Sequence, residues 1–337
     1  MSVKWWYMRP CVAFMVIFIF FKFAVLSVWL GHRGQYFVFP NDHTHGLQYH
    51  GDDTCYRDPE DTLVHLADNI HTSCSHSPSP LTQSDVRIGK LIVHVGANSA
   101  VYNPAIRSHH LHALVHGMPV YILCSPAVDG MWNKPAFVLS VLLSEIVKPE
   151  DERLEWLMWT DRDSLVLDHC RNPAAFLPPG LGHAGVRLVA TRDFNGLNDG
   201  VYFVRVSEWA IDLFTDILAF RRFRPEVHLQ FVHQSIMEKL LREDRYRAGV
   251  RYVPQYWFNS YPLGGSNDFE TRTDTAGMSS ERARRGDFIV HFAGDGDKKA
   301  WIDSWDDVVR RMGNVWQSGT WQRNTTGEIE RFWANHH

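Results

Sequence analysis

Two aspartates one residue apart close an apolar run, Leu154-Glu-Trp-Leu-Met-Trp-Thr-Asp-Arg-Asp163. Side chains at i and i+2 of a strand point the same way, so Asp161 and Asp163 are placed to address one point past the strand end. Hard oxygen ligands paired at the carboxyl end of a buried strand suit a divalent cation that holds a diphosphate. A second stretch, Thr191-Arg-Asp-Phe-Asn-Gly-Leu-Asn-Asp-Gly200, crowds Asp193, Asn195, Asn198 and Asp199 with two glycines that let backbone approach a ligand closely. No GxxxxGK[ST] occurs, so no P-loop is available and a diphosphate bound here would depend on metal for much of its charge neutralisation.

The elements that must position these residues follow from periodicity. Lys90 to Gly96 reads as a buried first strand, Asn98 to Gly117 as a helix stopped by Gly117, and Pro119 to Cys124 as a second strand. Trp132 to Val147 is a second helix, and Leu154 to Thr160 the third strand, ending on the aspartates. Alternating strands and helices predict an α/β fold, with a mostly parallel central sheet, helices on both faces and a ligand site at the carboxyl ends of the strands. Downstream come a strand at Val186 to Ala190, the 191–200 loop, and a strand at Val201 to Val206. Ser207 is an N-cap for a helix from Glu208 to about Phe220, with an acid in its first turn. A helix over Val232 to Leu241, strands at Val250 to Pro254 and Phe288 to Phe292, and a closing helix from Trp301 to Met312 complete the body. Residues 264–285 read as a polar excursion.

The 337 residues, 45% hydrophobic and 13% aromatic, are ample for a core, and a formal charge of −4 gives no general pull toward nucleic acid. Cys11 to Leu30 is an apolar stretch of the length, about 20 residues, that crosses a bilayer as a helix. Lys22 interrupts it at a cost of about 2.5–3.5 kcal/mol on insertion scales. With no small-x-small cleavage site after Leu30, an uncleaved anchor is expected over a signal peptide. The expected organisation is a cytosolic tail (1–9), a transmembrane anchor (10–30), a lumenal stem (31–87), a catalytic domain (88–312) and a C-terminal tail (313–337). Five cysteines show no metal-like spacing; Cys55 and Cys74 could bridge within the stem, or all could be buried thiols. Asn324-Thr-Thr326 is a glycosylation acceptor in a lumenal body.

Several landmarks, in order, resemble glycosyltransferase family 34, the fungal and plant galactosyl-, mannosyl- and xylosyltransferases. They are Trp132-Asn-Lys134, Trp156-Leu-Met-Trp-Thr-Asp-Arg-Asp163, Gly196-Leu-Asn-Asp-Gly200, Ser207-Glu-Trp209, Gln234-Ser, Val253-Pro-Gln, Asn259-Ser-Tyr261 and Gly286-Asp-Phe-Ile-Val-His-Phe-Ala-Gly294. The resemblance covers residues 88 to 310. It implies a GT-A fold, a single-pass type II Golgi membrane protein with a lumenal catalytic domain, and a nucleotide-sugar donor. It also implies transfer onto a glycan acceptor with retention of configuration. Two positions depart from the pattern. His233 stands where the family has an acid before the glutamine, and Asp199 follows Asn198 where Thr, Ala or Asn is usual. A carboxylate near the donor sugar is thus missing, moved to Asp199, or replaced by His233.

The resemblance makes His291 a third metal ligand beside Asp161 and Asp163; its rival role is a satisfied core histidine. Two oxygens and a nitrogen suit Mn²⁺, with Mg²⁺ as the alternative. Lys134 and Lys298 are candidate cations for the departing diphosphate, or else solvated lysines. Asn198, Asp199, Gly200, His233, Gln234 and Gly294 are candidates for contact with donor sugar or acceptor, with Asp199, His233 and Gln234 as the catalytic set. Trp132, Trp209 and Trp257 are candidates for stacking on sugars or for the core. Galactose from UDP-galactose is the first expectation and mannose from GDP-mannose the second. A catalytically weak subunit of a glycosyltransferase complex is the reading from another class.

Overall fold

Neighbouring residues of the central strands face opposite cores, which is why those strands read as unbroken apolar runs rather than as alternation. Ile92, Ile122, Met158 and Val189 enter one cluster; Leu91, Tyr121, Leu157 and Leu188 enter the other. The computed structural model describes residues 46–51, 55–56, 62–77, 79, 86–96, 99–180, 185–294 and 296–336, all within one unit, Asp42–His337. The described strands are β1 (Leu47–His50), β2 (Ile88–Val93), β3 (Val120–Leu123), β4 (Trp156–Thr160), β5 (Ser164–Val166), β6 (Leu188–Asp193), β7 (Gly196–Arg205), β8 (Val250–Val253) and β9 (Ile289–His291). Seven of them form one sheet in the order β1-β3-β2-β4-β7-β6-β8. It is parallel except where β7 runs against β4 and β6. β5 and β9 form a separate antiparallel pair.

The main helices are α1 (Leu63–His76), α2 (Asn103–His116), α3 (Asn133–Ile146), α4 (Glu208–Phe223), α5 (Val232–Leu240), α6 (Gly265–Thr271), α7 (Lys298–Met312) and α8 (Thr326–Asn335). α3 and α4 cover one face of the sheet with Phe137, Val138, Leu213 and Phe214. α2 and α8 cover the other with Ile106, Ala113, Ile329 and Trp333. The α/β class, the mostly parallel sheet and the helices on both faces are as expected. α2 stops where predicted, at Gly117, whose φ of +65° makes it a left-handed C-cap. Ser207 caps α4 by accepting from Ala210 N–H.

Several expectations change. β1 joins the sheet edge beside β3 and α1 packs on α2 through Leu63, Ala67, Leu111 and Val115. Both lie in 31–87, the expected stem, so folded structure starts well before residue 88. Cys55 bonds to Cys124 and Cys74 to Cys170, not Cys55 to Cys74. The register of β1 on β3 brings Cys55 to the residue that follows β3, while α1 carries Cys74 away along α2. The 191–200 loop is the outer arm of the β6–β7 hairpin, with Asp193 opposite Gly196 and Phe194 and Asn195 at the tip. Within 264–285 the chain makes α6, whose Phe269 packs on Trp305 of α7. In 313–337, Glu328 of α8 accepts from Tyr256 Oη and Trp257 Nε1, so the tail belongs to the body. The expected anchor at 10–30 lies outside the described residues. Among those described, no helix is long and apolar enough to cross a membrane.

Candidate active site

β4 ends at Thr160, and the chain turns through Asp161 to Asp163 before β5 begins at Ser164. Asp161 O accepts from Ser164 N–H at 3.0 Å and from Ser164 Oγ–H at 2.7 Å. Asp161 and Asp163 therefore converge through a turn, not through the two-residue repeat of a strand. Arg162 points away: Nη1 donates to Val95 O at 2.8 Å and the guanidinium lies 4.1 Å over the Tyr102 ring. β5 then pairs with β9 so that Ser164 stands opposite His291, which sets the imidazole beside both aspartates. Nε2 of His291 is 3.5 Å from Asp163 Oδ1 and 3.9 Å from Asp161 Oδ2.

One ligand atom from each of Asp161, Asp163 and His291 lies within 4.8 Å of the others. Metal–oxygen bonds of about 2.1 Å put adjacent ligands roughly 3 Å apart in an octahedral shell. The 3.9 Å separation is too long for a hydrogen bond and the 3.5 Å one is at the limit, and both are close to what one shared cation would need. Two carboxylates and an imidazole suit a divalent cation. Gly200 gives the imidazole its room, because a Cβ there would come within 2.0 Å of His291 Cε1.

Lysines flank the triad on two sides. Lys134, in the first turn of α3, is buried with Nζ 3.0 Å from Asp161 Oδ1 and 3.1 Å from Asp199 Oδ1, and it also donates to Asp199 O. Burial alone would lower its pKa, but Asp161 and Asp199 together raise it. Lys298 opens α7 with Nζ 2.9 Å from Asp163 Oδ2 and donates to Phe292 O. Burial pushes Asp163 up, yet His291 and Lys298 outweigh it and hold the carboxyl below the usual range.

Asp199 and His233, the two departures from the family pattern, touch. His233 Nδ1 lies 2.9 Å from Asp199 Oδ2 while Lys134 holds Oδ1, so both carboxylate oxygens are engaged. Burial works against the charge of Asp199, but Lys134 and His233 overcome it and keep the group ionised. Gln234 Oε1 accepts from Asp199 N–H at 3.3 Å. Both residues follow Val232, whose φ of +44° is strained for a β-branched residue. His233 Nε2 is buried without a hydrogen-bond partner and lines a small cavity with Tyr202, Phe214, Ile217 and Met237.

Asp161, Asp163, His291, Lys134, Lys298, Asp199, Gly200, His233 and Gln234 thus gather in one place. Asn198 is there too, but its amide is fully used: Nδ2 donates to Asp193 and Tyr261, and Oδ1 accepts from Gly200 and Asn259. Gly294 turns the chain after β9 at φ +81°, with open space where a Cβ would stand. Trp257 is core, with Nε1 on Glu328, and Trp209 packs on Tyr246. Trp132 lies under Arg221. Sequence reasoning assigned no role to Trp159, whose Nε1 donates to Asp161 Oδ1 at 2.8 Å, or to Asn259, 2.9 Å from His291 Nδ1. Their signals were the Trp before the aspartates and the Asn-Ser-Tyr run.

Residues 182–300 match the family described as galactosyl transferase GMA12/MNN10, in agreement with the ordered motifs. No curated protein matches the chain. Among solved structures, a glycosyltransferase involved in the glycosylation of the major capsid of PBCV-1 is similar at 14% identity, over 67% of this chain and 99% of that one, with a TM-score of 0.49. The glycosyltransferase GlyE of Streptococcus pneumoniae TIGR4 is similar at 10% identity, over 71% of this chain and 66% of that one, with a TM-score of 0.39.

Proposed function

We propose that this glycosyltransferase, a member of the galactosyl transferase GMA12/MNN10 family by its residues 182–300, is a metal-dependent, retaining hexosyltransferase. Its substrates in this reading are a nucleotide diphosphate sugar and a glycan acceptor. The observation that carries the reading is the convergence of Asp161, Asp163 and His291 with two lysines at the carboxyl ends of the strands. A bound Mn²⁺ supplies Lewis-acid stabilisation of the departing diphosphate. Lys298 is the more exposed of the two lysines and stands at the start of α7, free to exchange Asp163 for a phosphate oxygen. Lys134 holds Asp161 and Asp199 in place.

Asp199 stands across one hydrogen bond from the position where the family has its acid. In this reading Asp199 supplies, across that contact, the carboxylate that the family pattern carries at the position of His233. With both oxygens held, Asp199 serves as a fixed negative charge that steadies positive charge growing on the sugar, not as a nucleophile. Same-face attack, with the leaving phosphate as base, is the route this favours. Galactose from UDP-galactose is the proposed donor, with mannose from GDP-mannose as the alternative. Two disulfides and an exposed Asn324 in the glycosylation sequence support a lumenal body, which in this reading sits on a type II Golgi anchor.

A nucleotide-sugar panel read by mass spectrometry, with Mn²⁺ and with chelator, tests the reading. Donor turnover that needs metal and favours one sugar supports it. A second reading, a catalytically weak subunit of a glycosyltransferase complex, draws on the full engagement of Asp199. Folded, Mn²⁺-binding protein that turns over no donor would select that alternative.

A further inference from the structure

The side chains behind His291 form a hydrogen-bond chain whose polarity is set by a backbone amide. Gly200 N–H can only donate, so the Asn198 atom 2.9 Å from it is Oδ1. The far side of that amide agrees. Asn198 Nδ2 donates to Asp193 Oδ2 at 2.9 Å and to Tyr261 Oη at 2.8 Å, and the Tyr261 proton goes to Asp193 Oδ2. Reversing Asn198 would set a carbonyl against a carboxylate and an N–H against an N–H.

With Asn198 Oδ1 an acceptor, the Asn259 atom 3.0 Å away must donate and is Nδ2. Its other hydrogen goes to Thr191 Oγ1 at 2.9 Å. Asn259 Oδ1 is then an acceptor, and His291 Nδ1, 2.9 Å from it, must carry a hydrogen. In a neutral imidazole this leaves the lone pair on Nε2, the atom that faces Asp161 and Asp163.

We infer that Asn198 and Asn259 are positioning residues that hold His291 in the tautomer able to ligate metal, taking their polarity from the Gly200 amide. The inference rests on reading Asp161, Asp163 and His291 as the metal site. Gly200 is then common to two ligands: its N–H starts the chain to His291, and its carbonyl accepts from Asp161 N–H at 2.8 Å. The metal site is set from the arm of the β6–β7 hairpin that also carries Asp199.

The test uses the full chain with ¹⁵N-labelled histidine, metal-free, with the pH raised until the His291 ring is neutral. Long-range proton–nitrogen correlation should show His291 with a protonated Nδ1 and a bare Nε2. Asn259→Leu removes the acceptor; it should move the hydrogen toward Nε2 and weaken Mn²⁺ binding, measured by electron paramagnetic resonance, about 10- to 100-fold. Asn259→Asp keeps an acceptor for Nδ1–H and should restore the tautomer. A bare Nδ1 in the wild type overturns the inference, and that measurement decides even if Asn259→Leu does not fold. An Asn259→Leu protein with the wild-type tautomer and the wild-type Mn²⁺ affinity overturns it as well. Wild type with the expected tautomer but no Mn²⁺ binding overturns the metal reading on which the inference rests, separately from the tautomer assignment.

Discussion

Lowering the pH from 7 to 5.5 is expected to destabilise the metal-free protein, through histidines packed behind the sheet. Burial pushes His116 down to about 4 and His169 down to about 3, from an ordinary 6.5. The two are joined, with His116 Nε2–H donating to His169 O at 2.9 Å. Lys90, itself buried, makes a charge on either one costlier. A histidine kept neutral by folding takes its proton only in the unfolded chain. Its contribution is therefore complete above 6.5 and is lost as the pH falls toward the folded value.

For an unfolded pKa of 6.5, each such group loses about 1.2 kcal/mol between pH 7 and 5.5, so the pair loses about 2.5 kcal/mol. His50 and His94, both lowered to about 4 mainly by burial, act in the same direction. Asp287 opposes them. Burial raises it to about 6, so it gains a proton in the folded state and returns just under about 1 kcal/mol over the interval. Asp163 and Asp199 are held low, and their stabilisation is lost only in more acid solution. A net fall of about 2 kcal/mol or more is large beside a typical stability of about 5–15 kcal/mol. Urea unfolding with chelator present measures it, and His116→Gln should reduce the pH difference by about 1.2 kcal/mol. Stability that is flat or rises on acidification refutes the claim that folding keeps these imidazoles neutral.

Asp161→Asn should lower metal-dependent donor turnover by roughly a thousandfold, as loss of a central electrostatic group does, while the far-UV spectrum stays unchanged; equal turnover removes the metal assignment. Gly200→Ala should displace the His291 ring and weaken Mn²⁺ binding, seen by calorimetry on folded protein. Non-reducing peptide mapping should recover Cys55 with Cys124 and Cys74 with Cys170, and Cys74→Ser should cost about 2–4 kcal/mol in urea unfolding. Restoring the family's acid with His233→Asp should set two carboxylates against each other and lower stability, with Asp199→Asn in the same chain giving relief.

What was legible in the sequence follows burial. β2, β3 and β4 are covered on both faces, so each appears as an apolar run, and their order with α2 and α3 gives the α/β class directly. β1 is only half-buried along its four residues, and a short edge strand with Tyr and His offers no such run. The disulfides join positions 69 and 96 residues apart, a pairing decided by how β1 and α1 dock. The hairpin arm was hidden for a different reason. Asp193, Asn195, Asn198 and Asp199 look like solvent-facing loop residues, yet Asn198 and Asp199 are buried with their side-chain polar atoms satisfied by neighbours. Polarity marks a loop only when water is the partner.

The same distinction separates the two halves of the site. Asp161, Asp163 and His291 turn ligand atoms toward one another at 3.5 and 3.9 Å from the imidazole, an arrangement that could hold a cation. Asp199 lacks nothing: Lys134 and His233 already take both oxygens. A sugar reaching this wall must compete with bonds already made, or accept Asp199 as a charge that acts without moving. Donor choice should therefore respond more to the Asp199–His233 pair than to the metal ligands. Variants of that pair should change the preferred nucleotide sugar while Mn²⁺ affinity stays constant. If instead they change Mn²⁺ affinity and leave the sugar preference alone, the division between the metal triad and a sugar-reading wall is wrong.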